Sequence, residues 1–365
     1  MSKVTICTPD VDSGDAVSND VVGMFQAFTE YGYEAEIIAV DSKITWPEVH
    51  KLNEVNNIIR DSQDILIYHH SVGWEEGIDF LKSLKCIKII KYHNVTPPIF
   101  FEDIADNYLA ACQSGRSQLR DIVDIHADLY LGDSFYNVNE LLNVGENDLK
   151  WAVLPPFHHI DRLLLLEPEK EVVSRFEDGT TNVLTVGRIA PNKGHLALIE
   201  AFSVYHEEYN PNSRLIIVGK KDPGLNSYND LLHSKVKQLR LEDVVFFTGA
   251  VTDSFLKACY TVADVFVMTS LHEGFCVPLV EAMSMKIPIV AYGTTAIPET
   301  AGKVGLVWKE RNPELIAASM DRIMRDESLR LSLGEMGYRR YANVFANEKI
   351  KARLFDLLKN EHLIK

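Results

Sequence analysis

Cysteine is scarce in this 365-residue chain, and its five copies, Cys7, Cys86, Cys112, Cys259 and Cys276, form no pattern. An odd count without a CxxC pair signals neither a disulfide framework nor a zinc site, and fits a reducing compartment. No run of about 18 apolar residues occurs, so no transmembrane helix is expected. The opening MSKVTICTPD is a short apolar strand stopped by Pro9, too brief for the core of a signal peptide. Proline (14) and glycine (20) are too few for a low-complexity chain. Basic charge is short as well: 37 Lys+Arg stand against 52 Asp+Glu, a net charge of −15. The deficit falls in the first 150 residues, where 11 basic residues face 25 acidic ones; the remainder carries 26 and 27. Nucleic-acid binding needs a basic footprint, so no nucleic-acid partner is expected. A smaller anionic ligand stays compatible with the balance. The expected location is cytoplasmic, with at most a peripheral association at the inner face of a membrane.

What is present is globular material, 46% hydrophobic and 24% charged, in a length that suits two domains. Short β-rich runs alternate with helical spacing from end to end. The strand candidates in the first half are Val4–Thr8, Ala35–Val40, Asp64–Tyr68, Cys86–Tyr92, Ala127–Leu131 and Lys150–Leu154. In the second half they are Val183–Val186, Arg214–Val218, Val244–Thr248, Val265–Met268, Ile287–Ala291 and Gly305–Trp308. Such alternation predicts βαβ units, hence an α/β fold of parallel sheets covered on both faces. Pro155-Pro156 closes a strand, and a charged stretch from Glu167 to Thr181 precedes the next, which puts a linker at about 156–180. The expected organisation is two Rossmann-like doubly wound domains facing across a cleft. One spans 1–160 and the other 161–345, with a helical tail, 346–365, packing back toward the first. Sheets of this kind bind ligands at the carboxyl ends of their strands.

Two segments carry chemistry. In Ser270–Met285, SLHEGFCVPLVEAMSM, a strand runs into a loop holding Glu273 and Gly274, and Pro278 stands where a first helical turn should be. The backbone N–H groups of Gly274, Phe275, Cys276 and Val277 would then lie at a helix N-terminus, a ready anion site. A carboxylate such as Glu281 accepts two hydrogen bonds at once, which matches the vicinal diol of a ribose or hexose. In Leu184–Phe202, LTVGRIAPNKGHLALIEAF, a strand ends at Gly187, Arg188 follows, and Pro191-Asn192-Lys193-Gly194 opens a helix. Arg188 and Lys193 together would neutralise a diphosphate.

On these residues the sequence resembles the retaining glycosyltransferases of family 4. Glu273 and Glu281, eight residues apart in HEGFCVPLVEAM, are similar to that family's glutamate signature, and GRIAPNKGHLALIEAF to its donor-phosphate motif. The resemblance covers roughly residues 182–310, with the motifs in the family's order, and implies the two-domain GT-B fold. It implies a hexose transferred from a nucleotide-diphosphate sugar, such as a UDP- or GDP-hexose, to a saccharide or lipid-linked saccharide acceptor, as in surface polysaccharide assembly. The first domain would take the acceptor and the second the donor, with no metal or other cofactor. Arg188 and Lys193 would hold the diphosphate, Glu281 the ribose hydroxyls, and Glu273 the hexose, beside the amides of Gly274, Phe275 and Cys276. His93, in KYHNVTPP, stands where the family often has a histidine facing the donor sugar, so His93, Arg188, Lys193 and Glu273 form the expected catalytic set. Ser13-Gly14-Asp15 takes the place of the family's glycine-rich loop near phosphate and acceptor. Cys276 departs from the usual glycine, and Asp15 would repel a phosphate, which turns that loop toward the acceptor.

Plainer readings accompany these. Both glutamates also suit early helix positions, Arg188 and Lys193 suit a solvated loop, and His93 suits a hydrogen-bonded structural role. His69-His70 does not read as a metal site, because adjacent strand residues face opposite sides and no third ligand is in view. Cys276 lacks a base and does not read as a nucleophile, and Glu299 reads most simply as an early helix residue. Lys82, Lys85, Lys88 and Lys91 recur every third residue and read as a solvated face, with a lipid-facing patch as the alternative. A same-fold phosphorylase or sugar-nucleotide 2-epimerase is the alternative activity. A nucleotide-sugar-binding regulator and an exported two-domain sugar-binding protein are the non-enzyme alternatives.

Overall fold

The computed structural model describes residues 3–12, 14–53, 59, 61–145 and 149–364. The chain forms two units. One gathers Met1–Pro98, Tyr108–His159 and Ala346–Lys365; the other gathers Ile99–Asn107 and Ile160–Phe345.

Among the described residues the first unit holds a seven-stranded parallel sheet. Its strands are β1 (Lys3–Val11), β2 (Glu34–Ser42), β3 (Val49–His50), β4 (Ile65–His70), β5 (Ile87–Tyr92), β6 (Leu129–Gly132) and β7 (Trp151–Val153), in the order β3-β2-β1-β4-β5-β6-β7. The two-residue β3, paired to the edge of β2, is the one strand that the apolar pattern does not predict. The strands are short and apolar because both faces are buried, and alternation sends successive side chains to different cores. Ile65 and Ile67 of β4 join Val21, Met24 and Phe28 of the helix Ala16–Glu30, while Leu66 and Tyr68 join Ile78, Leu119 and Ile122 on the other side. The C-terminal helix Asn347–Asn360 sets Ile350, Leu354, Phe355 and Leu358 into the first of these cores, with Phe355 edge-to-face on Phe28 at 5.3 Å. Each of these side chains contributes about 1.5–3 kcal/mol by leaving water.

The second unit repeats the design. Its strands β8 (Thr181–Val186), β9 (Ser213–Val218), β10 (Val245–Gly249), β11 (Val265–Met268), β12 (Ile289–Tyr292) and β13 (Gly305–Trp308) lie in the order β10-β9-β8-β11-β12-β13, all parallel. Its core joins Val183, Leu215, Val265, Val267 and Val290 to Leu198 and Phe202 of the helix His195–Val204 and Ile316 and Met320 of the helix Pro313–Arg325. The charged stretch after Pro155-Pro156, expected as an irregular linker, contains two short helices, Ile160–Leu165 and Lys170–Phe176.

In both sheets the order reverses beside the first strand: between β1 and β4, and between β8 and β11. Connections leave such a point in opposite directions, which opens a crevice outside the carboxyl ends of the strands. No helix among the described residues is long and apolar enough to cross a membrane.

Candidate active site

In the second unit, the two loops leaving the reversal point are the two motif segments. The loop after β8 carries Gly187, Arg188 and Lys193, and the loop after β11 carries Glu273, Gly274, Phe275 and Cys276. Their backbones are stitched together. The Asn192 carbonyl accepts hydrogen bonds from the Leu271 N–H (2.8 Å) and the Ser270 hydroxyl (3.0 Å), and the Gly194 carbonyl accepts from the Thr269 hydroxyl (3.0 Å). Gly194 has φ 69°, and a Cβ there would lie 2.0 Å from the Thr269 carbonyl oxygen, so only glycine fits the crossing.

This seam delivers Lys193 to Glu273: Nζ is 2.8 Å from both carboxylate oxygens, with Glu273 buried and Lys193 partly exposed. The Glu273 N–H donates to Thr295 Oγ1 at 2.9 Å, which fixes the loop against the connection leaving β12. Arg188 is exposed. His195, directly after Gly194, is buried, and burial with the Lys193 charge lowers its pKa to about 4, so it stays a neutral structural histidine.

The helix Val277–Ser284 begins as its proline implied, with Pro278 in the first turn and no side chain capping its N-terminus. Its N-cap, Cys276, adopts the left-handed conformation (φ 79°, ψ 68°). That is the reason a glycine suits this place. Burial, reinforced by the nearby Glu273 charge, pushes the Cys276 thiol well up, so it is no thiolate nucleophile. Phe275 is buried edge-to-face on Phe345 at 5.4 Å. Glu281 is buried on the helix, and its Oε2 accepts a hydrogen bond from the Tyr260 hydroxyl at 2.5 Å. Glu299 lies in the first turn of the short helix Ile297–Ala301, and its carbonyl accepts from Arg340 Nη2 at 2.7 Å.

In the first unit, Ser13 lies outside the described residues. Gly14 is exposed with φ 82°. Asp15 caps the helix Ala16–Glu30, its Oδ2 accepting from the Ser18 N–H (3.0 Å) and hydroxyl (3.1 Å), so this carboxylate does a helix-starting task.

His93 belongs to a buried network that local sequence did not reveal. Its Nδ1 donates to Asp133 Oδ2 (2.9 Å), its Nε2 meets His69 Nδ1 (2.8 Å), and the two rings stack with centroids 4.9 Å apart. Both ring nitrogens of His93 are thus engaged by the chain itself. Lys91 is fully buried, with Nζ 2.8 Å from Asp20 Oδ2 and 3.4 Å from Asp133 Oδ1. Burial pushes the Asp20 carboxyl up, opposed by the charges of Lys91 and His93. For Asp133 the same desolvation is outweighed, and His93 and Lys91 hold it below the ordinary carboxylate range. His69, lowered well below the ordinary histidine value by burial and then by His93 and Lys91, is neutral.

Two readings of the sequence change here. Lys91 is no member of a surface lysine patch; both faces of β5 are covered here, and Lys91 lies buried beside its register partner His69. His69 does have company: Asp20, His69 and His93 each offer a ligand atom, all within 4.8 Å of one another. They converge from one helix, one strand and the loop leaving β5, so no local spacing announces them. In this cluster Lys91 already supplies a cation to Asp20. His70 faces the other side, as alternation requires, with Nε2 donating to the Gly115 carbonyl at 3.0 Å and burial lowering its pKa to about 4.

The second unit also carries a family likeness. Residues 167–340 match the family described as glycosyl transferases group 1. The chain is 31% identical over 147 residues to the O-antigen chain mannosyltransferase B of Escherichia coli, covering 40% of this chain and 38% of that one. It is 32% identical over 187 residues to the mannosylfructose-phosphate synthase of Agrobacterium fabrum, covering 50% and 41%. The matched segments therefore span about two fifths of these relatives. Among solved structures, Anabaena HepE in complex with UDP and glucose superposes with a TM-score of 0.77 at 17% identity, over 98% of this chain and 100% of that one. The sucrose-phosphate synthase of Thermosynechococcus elongatus gives 0.76 at 17% identity, over 99% of each. These likenesses show the fold, a pair of Rossmann-like units of the GT-B kind.

Proposed function

We propose that this protein is a retaining glycosyltransferase that moves a hexose from a nucleotide-diphosphate sugar to a hydroxyl of a saccharide or lipid-linked acceptor. The observation that carries the reading is the joining of both motif loops at the β8/β11 reversal point, with Lys193 held on Glu273 just ahead of the Val277–Ser284 helix and Arg188 exposed on the same β8 loop. Basic side chains and the positive end of a helix suit a diphosphate, and carboxylates suit sugar hydroxyls. The group 1 match over 167–340 and the mannosyltransferase relative support the same reading, and the latter favours surface polysaccharide assembly.

In this proposal the second unit takes the donor and the first the acceptor. The bond from the anomeric carbon to the phosphate oxygen breaks, the acceptor oxygen bonds to that carbon on the same face, and the acceptor proton passes to the departing phosphate. Arg188 and Lys193 stabilise the leaving diphosphate, so catalysis rests on positioning and electrostatics, and no divalent metal takes part. His93 orients the sugar through the segment that its network holds. A cytoplasmic location, peripheral to the membrane at most, belongs to the same proposal.

The test is a thermal-shift screen of UDP- and GDP-sugars, followed by NMR of the anomeric configuration of the product formed in EDTA. Binding of one donor class and a retained configuration are expected. Inversion would overturn the mechanism, and activity lost in EDTA and restored by Mn²⁺ would overturn its metal independence.

A further inference from the structure

Tyr260 was not singled out by any motif, yet it makes a short hydrogen bond to a proposed ligand-binding residue. It lies in the last turn of the helix Asp253–Val262, is 1% exposed, and donates its hydroxyl proton to Glu281 Oε2, whose residue is 3% exposed, at 2.5 Å. Such a length is that of an O–H···O⁻ bond to an ionised acceptor, about twice as strong as a neutral one. Burial, followed by the Glu281 charge, drives the phenol pKa well up, so the hydroxyl keeps its proton and acts only as donor toward the carboxylate. The phenol is itself held: its ring stacks on Phe266 of β11, 6.2 Å between centroids and 27° between planes. A rigid path therefore runs from the central strand beside the reversal point, through Phe266 and Tyr260, to the Glu281 carboxylate.

We propose that Tyr260 is a positioning residue for the nucleoside half of the donor, fixing the Glu281 carboxylate in the orientation that accepts ribose hydroxyls, and so setting discrimination between ribo- and deoxyribonucleoside diphosphates. The inference rests on Glu281 meeting the ribose, as in the function proposed above. A glutamate has three side-chain torsions, and a carboxylate free to rotate would lose part of its two-point match to a vicinal diol. One strong bond to an immobile donor removes that freedom before the nucleotide arrives, which is where preorganisation raises affinity.

The test uses the full chain and isothermal titration with UDP and GDP, then the 2′,3′-dideoxy form of whichever binds. Tyr260→Phe removes one oxygen and keeps the ring. The expected result is a five- to twentyfold loss of affinity for the ribonucleotide and less than a twofold change for the dideoxy form, with Glu281→Ala erasing the wild-type preference for ribose. An equal loss on both nucleotides, or no loss on either, overturns the positioning role while leaving the donor reading intact. If the wild-type chain binds neither UDP nor GDP, or binds ribo- and dideoxy forms alike, the reading of Glu281 fails and this inference fails with it. Should Tyr260→Phe lower the melting temperature by more than a few degrees, Glu281→Gln with Tyr260 in place runs the same comparison, and must likewise lose affinity for the ribonucleotide alone.

Discussion

Lys193 Nζ stands 2.8 Å from both carboxylate oxygens of Glu273, joining the loop after β8 to the loop after β11. The residue proposed to meet a diphosphate is thus neutralised, before any ligand, by the residue proposed to meet the sugar. Anion binding must draw Lys193 away from this partner or share it. Truncating the two side chains therefore has opposite effects on a nucleoside diphosphate lacking sugar. Lys193→Ala is expected to weaken its binding about tenfold or more, the scale of a charge-assisted contact. Glu273→Ala is expected to tighten it several-fold, while sharply lowering transfer from the intact donor. Titration calorimetry with the bare diphosphate checks both, and weaker binding in Glu273→Ala would contradict the neutralisation argument.

The Asp20–Lys91–Asp133 cluster leads to an expectation about stability. Lys91→Met takes the nearest cation from buried Asp20 and leaves Asp133 to His93, a change that costs about 3–5 kcal/mol where one partner of a buried pair is removed. The urea midpoint of the first unit's transition should fall accordingly. Adding Asp20→Asn to Lys91→Met removes the stranded charge and should recover a large part of the loss. If Lys91→Met alone matched the wild type in urea, the ion pairs at 2.8 and 3.4 Å would not be holding this end of the sheet.

Cys276 supplies a backbone test. Glycine and alanine both delete its buried sulfur, but only glycine relieves a φ of 79°. Cys276→Gly should therefore be more stable than Cys276→Ala by about 1 kcal/mol, the reverse of their order in a helix interior. Thermal denaturation of the pair decides it; alanine equal to or above glycine would rule out left-handed strain as a cost at this N-cap.

Much of this protein was readable along the chain. Parallel strands buried on both faces are short apolar runs, so twelve of the thirteen strands among the described residues stood out, and β3, two residues long with one neighbour, did not. The motif loops were legible for a related reason. A strand, a loop and a helix start are contiguous, so Gly187–Lys193 and Glu273–Glu281 carry their meaning in local order. Pro278 in the first turn is one case.

The partners of those residues were not legible. Glu273 takes Lys193 from 80 positions away, Glu281 takes Tyr260 from 21, and His93 takes His69 and Asp133 from 24 and 40. Lys91 shows the limit most clearly. Its three-residue spacing with Lys82, Lys85 and Lys88 looked like an exposed stripe, whereas both faces of β5 are covered from Ile89 to Tyr92, which leaves this lysine in the core. Local order specifies which backbone forms and where a loop opens, because torsional preference and the apolar period act over a few residues. Which charge is neutralised, which nitrogen is occupied and which carboxylate is held depend on side chains from separate strands and helices meeting out of water, where an unpaired polar group is costly and a partner must be found.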